Sequence, residues 1–281
     1  MSGFNPLVGP GSQPGEDDGA ELSFIEMPKD MRTYAAPALP EPEEVSGIAP
    51  ALAVLERVRH AAATADIAGA PQTFDITRLD SASRDFIDQA LGDGEVSIVA
   101  GACLQVQESV LAGIWRVHEV EVTGTLKRDT IEVGAFPAAV RAIAEDGTLE
   151  SLRPHRGPVP ANVVNAPALV TELEGRIAAW SPGVPAHAVN LTLLPLTDED
   201  LAFLDERVGP GTVTILSRGY GNCRITSTAT RNTWRVRYFN SREAIVLDTI
   251  EVVDVPGVAC AAEEDLRDSA QRLGEILGAY Q

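Results

Sequence analysis

At 281 residues the chain is long enough to bury one or two cores, and 44% hydrophobic against 22% charged residues is the balance of a soluble globular protein. Its net charge of −19 repels phosphates, which argues against a nucleic-acid or anionic-membrane binder. No apolar run approaches the roughly 18 residues of a membrane span, and three widely spaced cysteines (Cys103, Cys223, Cys260) suit reduced thiols in a cytoplasm better than a disulfide framework.

Residues 1–48 carry nine acidic and two basic residues among many prolines and glycines, without a helical or strand period. Such a segment buries too little apolar surface to offset its ordering entropy, so a disordered acidic arm is expected. Its first residues lack the basic and apolar regions of an export signal. One island interrupts the arm, FIEMPKDMRTY at 24–34, which concentrates Phe24, Met27 and Met31. It reads either as a strap packed on the globular body or as a motif that docks on a partner.

The rest of the chain repeats itself. APALAVLERVRHAA at 49–62 returns as APALVTELEGRIAA at 166–179, an offset of 117. Leu79, Phe86, Val96 and Ile98 meet Leu196, Phe203, Val213 and Ile215 at the same offset. After a two-residue insertion, WRV at 115–117 and DTIEV at 129–133 return unchanged at 234–236 and 248–252. The expected organisation is an arm over 1–48, a first repeat over 49–144, a linker over 145–165, and a second repeat with a C-terminal helix over 166–281.

Each repeat reads as helix, strand, helix and four strands. The first helix opens on Pro50 or Pro167, where a missing N–H costs nothing. A short strand follows at 74–77 or 189–193. Thr197 is placed to cap the second helix of the later copy, and Asp198, Glu199 and Asp200 favour its positive end. Segments 211–216, 224–228, 234–239 and 244–252 then alternate as strands joined by short turns, an antiparallel meander with helices over one face. The fold class is α+β, an internally duplicated unit in two copies. The final helix, 260–277, lacks a full counterpart in the first copy; it is expected to cover an edge or lie between the copies.

The copies differ most in their middle. The first reads AGACLQVQESVLAG at 100–113, without arginine; the second reads SRGYGNCR at 217–224 and continues to RNTWRVRYFN at 231–240. Between 217 and 243 stand six arginines and one acidic residue. Alternation puts Arg235 and Arg237 on one face, which Arg224 joins from the neighbouring strand. They either pair with this chain's own carboxylates or recognise an acidic surface on a partner. Arg218, Tyr220, Arg224, Arg235 and Arg237, with Phe24, Met27 and Met31, are the candidate partner contacts.

Cys223 falls on the core side with Ile225, as a buried thiol; a reactive thiolate or a metal contact are the alternatives. No two of the cysteines and histidines have metal-site spacing. No phosphate-binding glycine motif occurs, so the reading expects neither cofactor nor catalytic residue.

LPLTDEDLAFLDER at 194–207, SRGYGNCR at 217–224, RNTWRVRYFN at 231–240 and LDTIEVVDVP at 247–256 together resemble the HupH/HyaF/HoxQ hydrogenase expression/formation family, as does FIEMPKDMRTY. The resemblance implies a cytoplasmic, non-enzymatic maturation chaperone for an uptake nickel–iron hydrogenase. Its expected partner is the iron–sulfur small-subunit precursor before export, with other hydrogenase accessory proteins as further partners. The alternative is a cluster- or metal-handling factor using Cys223.

Overall fold

The computed structural model describes residues 39–42, 46–219 and 221–280. The expected disorder of the arm and the motif at 24–34 lie outside the described residues. The first half begins with α1 (Ala49–Ala63), whose first turn holds Pro50. After β1 (Gln72–Asp75) comes α2 (Ser81–Leu91), capped by the Asp80 carboxylate on the Ser83 amide. Strands β2 (Val96–Ala100), β3 (Leu104–Glu108), β4 (Ile114–Val120) and β5 (Leu126–Val133) form a meander, followed by α3 (Ala138–Glu145).

The second half runs α4 (Ala166–Ala179), β6 (His187–Asn190), a 3-10 turn at Leu191–Leu193 and α5 (Asp198–Val208). Thr197 and Asp200 close a capping box at the start of α5, as the sequence anticipates. Then come β7 (Pro210–Ser217), β8 (Asn222–Thr228), β9 (Thr233–Phe239), β10 (Ile245–Val252) and α6 (Glu263–Gly278).

The ten strands make one antiparallel sheet in the order β1-β5-β4-β3-β2-β7-β8-β9-β10-β6. The halves meet at β2 and β7, paired from Val96↔Ser217 to Ala100↔Val213. On either side of that seam the strands follow in the same succession, and local devices recur. Thr77 Oγ1 receives the Asp129 N–H beside β1, and Thr192 Oγ1 receives the Asp248 N–H beside β6. The indole N–H of Trp115 bonds the Gly134 carbonyl, and that of Trp234 bonds the Asp254 carbonyl.

Strand alternation divides the core in two ways. On one face α1, α2 and α6 cover the outer strands of the first half around Phe74, Ile114 and Ile131, while α4 and α5 cover those of the second around Val189 and Ile250. On the other face Val96, Ile98, Val106, Trp115, Val213, Ile215, Ile225 and Trp234 build a central core under Phe136 and Val140. The sequence reading placed the helices over one face. Instead α3 lies on the opposite face, because the apolar side chains of the four central strands point there and need a cover.

Segment 145–165 is built into the second half. Leu149 bridges to Thr230, Leu152 and Val163 are buried with α4 and α5, and the Asp200 carboxylate accepts the amides of Val164, Asn165 and Ala166. The final helix occupies neither a sheet edge nor the space between the halves. Leu266, Ala270, Leu273 and Leu277 recur at helical spacing and join the core of the first half, where α6 packs along α1. Gly113 lets it approach, since a Cβ there would stand 2.5 Å from Leu266 Cδ2. Ser269 Oγ bonds the Ala112 carbonyl and fixes its height. Thus the second half's last element closes the first half's core. Leu273→Ala is expected to destabilise the whole protein by about 2–5 kcal/mol in urea unfolding, the cost of a buried leucine truncation.

Candidate functional site

Neither helical core takes a side chain from β2, β3, β7 or β8. On the helical face these four strands therefore form a floor between α2 and α5. From the first half to the second it presents Gln105 and Gln107, Ser97 and Val99, Thr214 and Leu216, then Arg224 and Thr226. Most of these side chains are half-buried. Arg116 and His118 of β4 bound the floor on one side, and Arg235 and Arg237 of β9 on the other.

The two boundaries share one anchor. Arg116 grips Asp129 through Nε at 2.5 Å and Nη2 at 2.7 Å, and reaches Asp88 of α2 through Nη1 at 2.6 Å. Arg235 grips Asp248 at 2.5 and 2.7 Å and reaches Asp205 of α5 at 3.0 Å. Each bidentate pair ties a helix to the sheet. Of the two readings of Arg235 in the sequence, pairing with the chain's own carboxylates is the one observed, so it does not widen an open positive face. Its side chain is 6% exposed and committed to its own carboxylates, and Arg116 is its counterpart in the first half.

The remaining charges differ between the halves. Gln105 faces His118 across β3 and β4, while Arg224 faces Arg237 across β8 and β9. Arg237, with its side chain 33% exposed, leans on Asp248 at 3.4 Å and Asp205 at 3.7 Å, the carboxylates Arg235 already uses. In the second half Arg224 thus stands beside Arg235 and Arg237, which share Asp205 and Asp248. Partial burial, then the charge of Arg237, push the Arg224 guanidinium down from its ordinary value. Like charges directly opposite on neighbouring strands are destabilising unless an anion joins them.

Arg218 is half-buried, and its amide donates to the Glu95 carbonyl, so the β7–β8 turn is held against the loop before β2. At Gly219 a Cβ would come within 2.2 Å of Glu95 Oε2, the mobile end of an exposed side chain. Tyr220, Phe24, Met27 and Met31 lie outside the described residues. Sequence reasoning missed the floor itself. Gln105, Gln107, Ser97 and Thr214 carry a signal only after alternation and the β2–β7 seam put them side by side.

Cys223 points to the opposite face. It is buried against Ile225 and Tyr238, and burial raises its pKa to about 11 although the Tyr238 hydrogen bond opposes the shift. Cys260 is likewise pushed up to about 11 by burial, while Cys103 is exposed in the β2–β3 turn. Among the described residues, no three histidine, cysteine or acidic side chains converge on a metal-sized space. Thiol labelling of the native protein at pH 8 is expected to modify Cys103 quickly and Cys223 only on unfolding.

Asp129 gives the anchors a pH signature. Burial pushes its pKa up, but hydrogen bonds and charge from His118 and Arg116 outweigh burial and hold it at about 2. A depressed carboxylate contributes stability above its unfolded pKa of 3.8 that is lost as pH falls toward 2. Arg116→Ala is expected to cost about 3–5 kcal/mol near neutrality by leaving a buried charge unpaired. That difference should shrink below pH 4, as acid unfolding of both proteins will show.

An α+β sheet with helices on its flanks and a polar floor between them is a scaffold that presents a surface, and comparison gives the scaffold a family. The model of the HupH hydrogenase expression protein, C-terminal conserved region, matches residues 48–153 and 163–280, and the chain belongs to that family. It is 49% identical over 278 residues to the hydrogenase expression/formation protein HupH of Rhodobacter capsulatus, covering 97% of this chain and 96% of that one. To HoxQ of Cupriavidus necator it is 46% identical, covering 96% and 95%; to the hydrogenase-1 operon protein HyaF of Escherichia coli it is 31% identical, covering 97% and 95%. A solved structure of the hydrogenase expression protein HupH from Thiobacillus denitrificans matches 41% of this chain and 93% of its own, with 27% identity and a TM-score of 0.36. Among the described residues no helix is long and apolar enough to cross a membrane.

Proposed function

We propose that this protein is a non-catalytic chaperone of hydrogenase maturation that binds the iron–sulfur small-subunit precursor of an uptake nickel–iron hydrogenase in the cytoplasm, before export. Membership in a family of hydrogenase expression proteins supports the maturation role. The observation that carries the binding surface is the Arg224–Arg237 juxtaposition, which gathers guanidiniums at one side of the floor in a chain of charge −19. An acidic segment of the client docks on this cluster. Arg218 and Tyr220 extend the contact along the β7–β8 turn, Arg235 holds the platform, and Phe24, Met27 and Met31 add an apolar hold from the arm. Other hydrogenase accessory proteins can join the same complex.

The two halves are, on this reading, copies of one unit. Matched anchors, matched tryptophans and the same succession of strands about the seam support that. One copy keeps the scaffold while the other carries recognition. The alternative of cluster assembly on Cys223 draws no support from a thiol buried on the far face of the sheet.

Exposed charge pairs are worth about 0.2–1 kcal/mol and partly buried interface arginines 2 kcal/mol or more. Arg218→Ala with Arg224→Ala is therefore expected to weaken binding of the small-subunit precursor at least about tenfold, or about 1.4 kcal/mol, in a pull-down or titration. Cys223→Ser should leave binding nearly unchanged. Normal binding by the arginine variant, with maturation abolished by Cys223→Ser, would reverse the assignment.

A further inference from the structure

In each half the edge strand covers only part of its neighbour. β1 pairs with residues 130–133 of β5, and β6 pairs with residues 249–252 of β10. The hydroxyls of Thr77 and Thr192 accept the next amides, those of Asp129 and Asp248. Residues 126–128 and 245–247 run on beyond that cover, at opposite ends of the sheet. Each overhang carries a bulge, whose extra residue is Lys127 in β5 and Val246 in β10. A bulge bends the strand locally and re-aims a side chain.

The two overhangs differ in chemistry. The first reads Leu-Lys-Arg; Lys127 and Arg128 both meet Glu119, and Arg128 also meets Asp75. Charged side chains at a sheet edge keep other chains away. The second reads Ile-Val-Leu, and the 3-10 turn packed against it adds Leu193, with Leu194 beside it. Leu193 is 80% exposed, Val246 52% and Ile245 49%. No carboxylate stands among residues 191–197 or 244–247. Aliphatic side chains gathered in this way on open surface mark a contact.

The charges select the occupant. An uncharged patch offers nothing to an acidic or basic segment and suits another apolar patch. Antiparallel strand edges related by a twofold axis are complementary to themselves, so a second copy of the chain supplies that patch. Docking of the β10 corner on the β5 corner of another copy would add subunits without closure, and Lys127 and Arg128 oppose it. Two chains of charge −19 repel each other, and a contact at this corner adds no local repulsion to that. We propose that the β10 overhang, with Leu193 and Leu194, forms the contact of a twofold homodimer. The bulge interrupts the backbone ladder, so side chains carry the contact, and its modest area gives a dissociation constant in the micromolar range. The contact uses no floor residue and is independent of the client reading.

The test is analytical ultracentrifugation of the full-length protein, without client, over about a hundredfold range of micromolar concentrations. The expected result is a monomer–dimer equilibrium that tightens as added salt screens the repulsion between copies. Val246→Lys with Leu193→Lys, both at exposed positions, should weaken association at least about tenfold while far-UV circular dichroism stays that of the parent. Lys127→Val with Arg128→Leu gives the first overhang the character of the second and should add species larger than a dimer. A parent protein that stays monomeric throughout would assign the corner to a different partner and overturn the proposal. A dimer indifferent to the lysine pair would overturn it as well.

Discussion

Everything on the functional face follows from five residues of β2 pairing antiparallel with five of β7. Each half has an outer edge strand, a meander and helices, and its innermost strand exposes a row of backbone donors and acceptors. Pairing those two edges satisfies both rows and leaves, among the described residues, a sheet whose edges are the four-residue strands β1 and β6. Short edges resist association with other chains. The same pairing brings the turn before β8 against the loop before β2, where the Arg218 amide meets the Glu95 carbonyl. At the other end of the seam the Gly101 amide meets the Thr212 carbonyl in the matched way. A floor four strands wide exists because neither half's helices reach across the seam.

The buried arginines show one element serving structure in both halves. Arg116 and Arg235 each make a bidentate bond to a β-strand aspartate and a further bond to a helix aspartate. Burying such ions is costly unless every bond is made, so these positions tolerate little change. Beside them, His118 and Gln105 in the first half, and Arg237 and Arg224 in the second, stand at the rim of the same network with partial solvent access. Changing these costs little stability and alters the surface potential directly. The halves agree at the anchors, which burial holds, and differ at the rim in front of them.

Much of this was legible in the chain. The strand alternation in TWRVRYF and the unchanged WRV and DTIEV strings place β4, β5, β9 and β10 and foretell that Arg224 meets Arg237. Thr197 and Pro50 mark helix starts because caps and first turns are local chemistry. Three things were not legible. The partners of Arg235 stand 13 and 30 residues away, so its burial depends on register and on where α5 docks. The cover of the central core by α3 depends on two meanders joining. The docking of α6 on α1 is a contact more than 200 residues apart in the chain, and its apolar stripe names no address.

Cys223 and Arg224 make the last point. In the sequence a thiol flanked by arginine suggests a single reactive site. A strand separates neighbours onto opposite faces, so the thiol enters the central core beneath Tyr238 while the guanidinium enters the floor. The thiol cannot draw on the arginine's charge to become a thiolate, and burial drives it the other way. What remains on the floor is the Arg224 guanidinium, opposite that of Arg237, inside a strongly acidic chain. The surrounding acidic surface, meanwhile, turns away nucleic acids and other polyanions. On the binding reading proposed above, selectivity at this floor comes from the contrast between its arginines and the acidic protein around them.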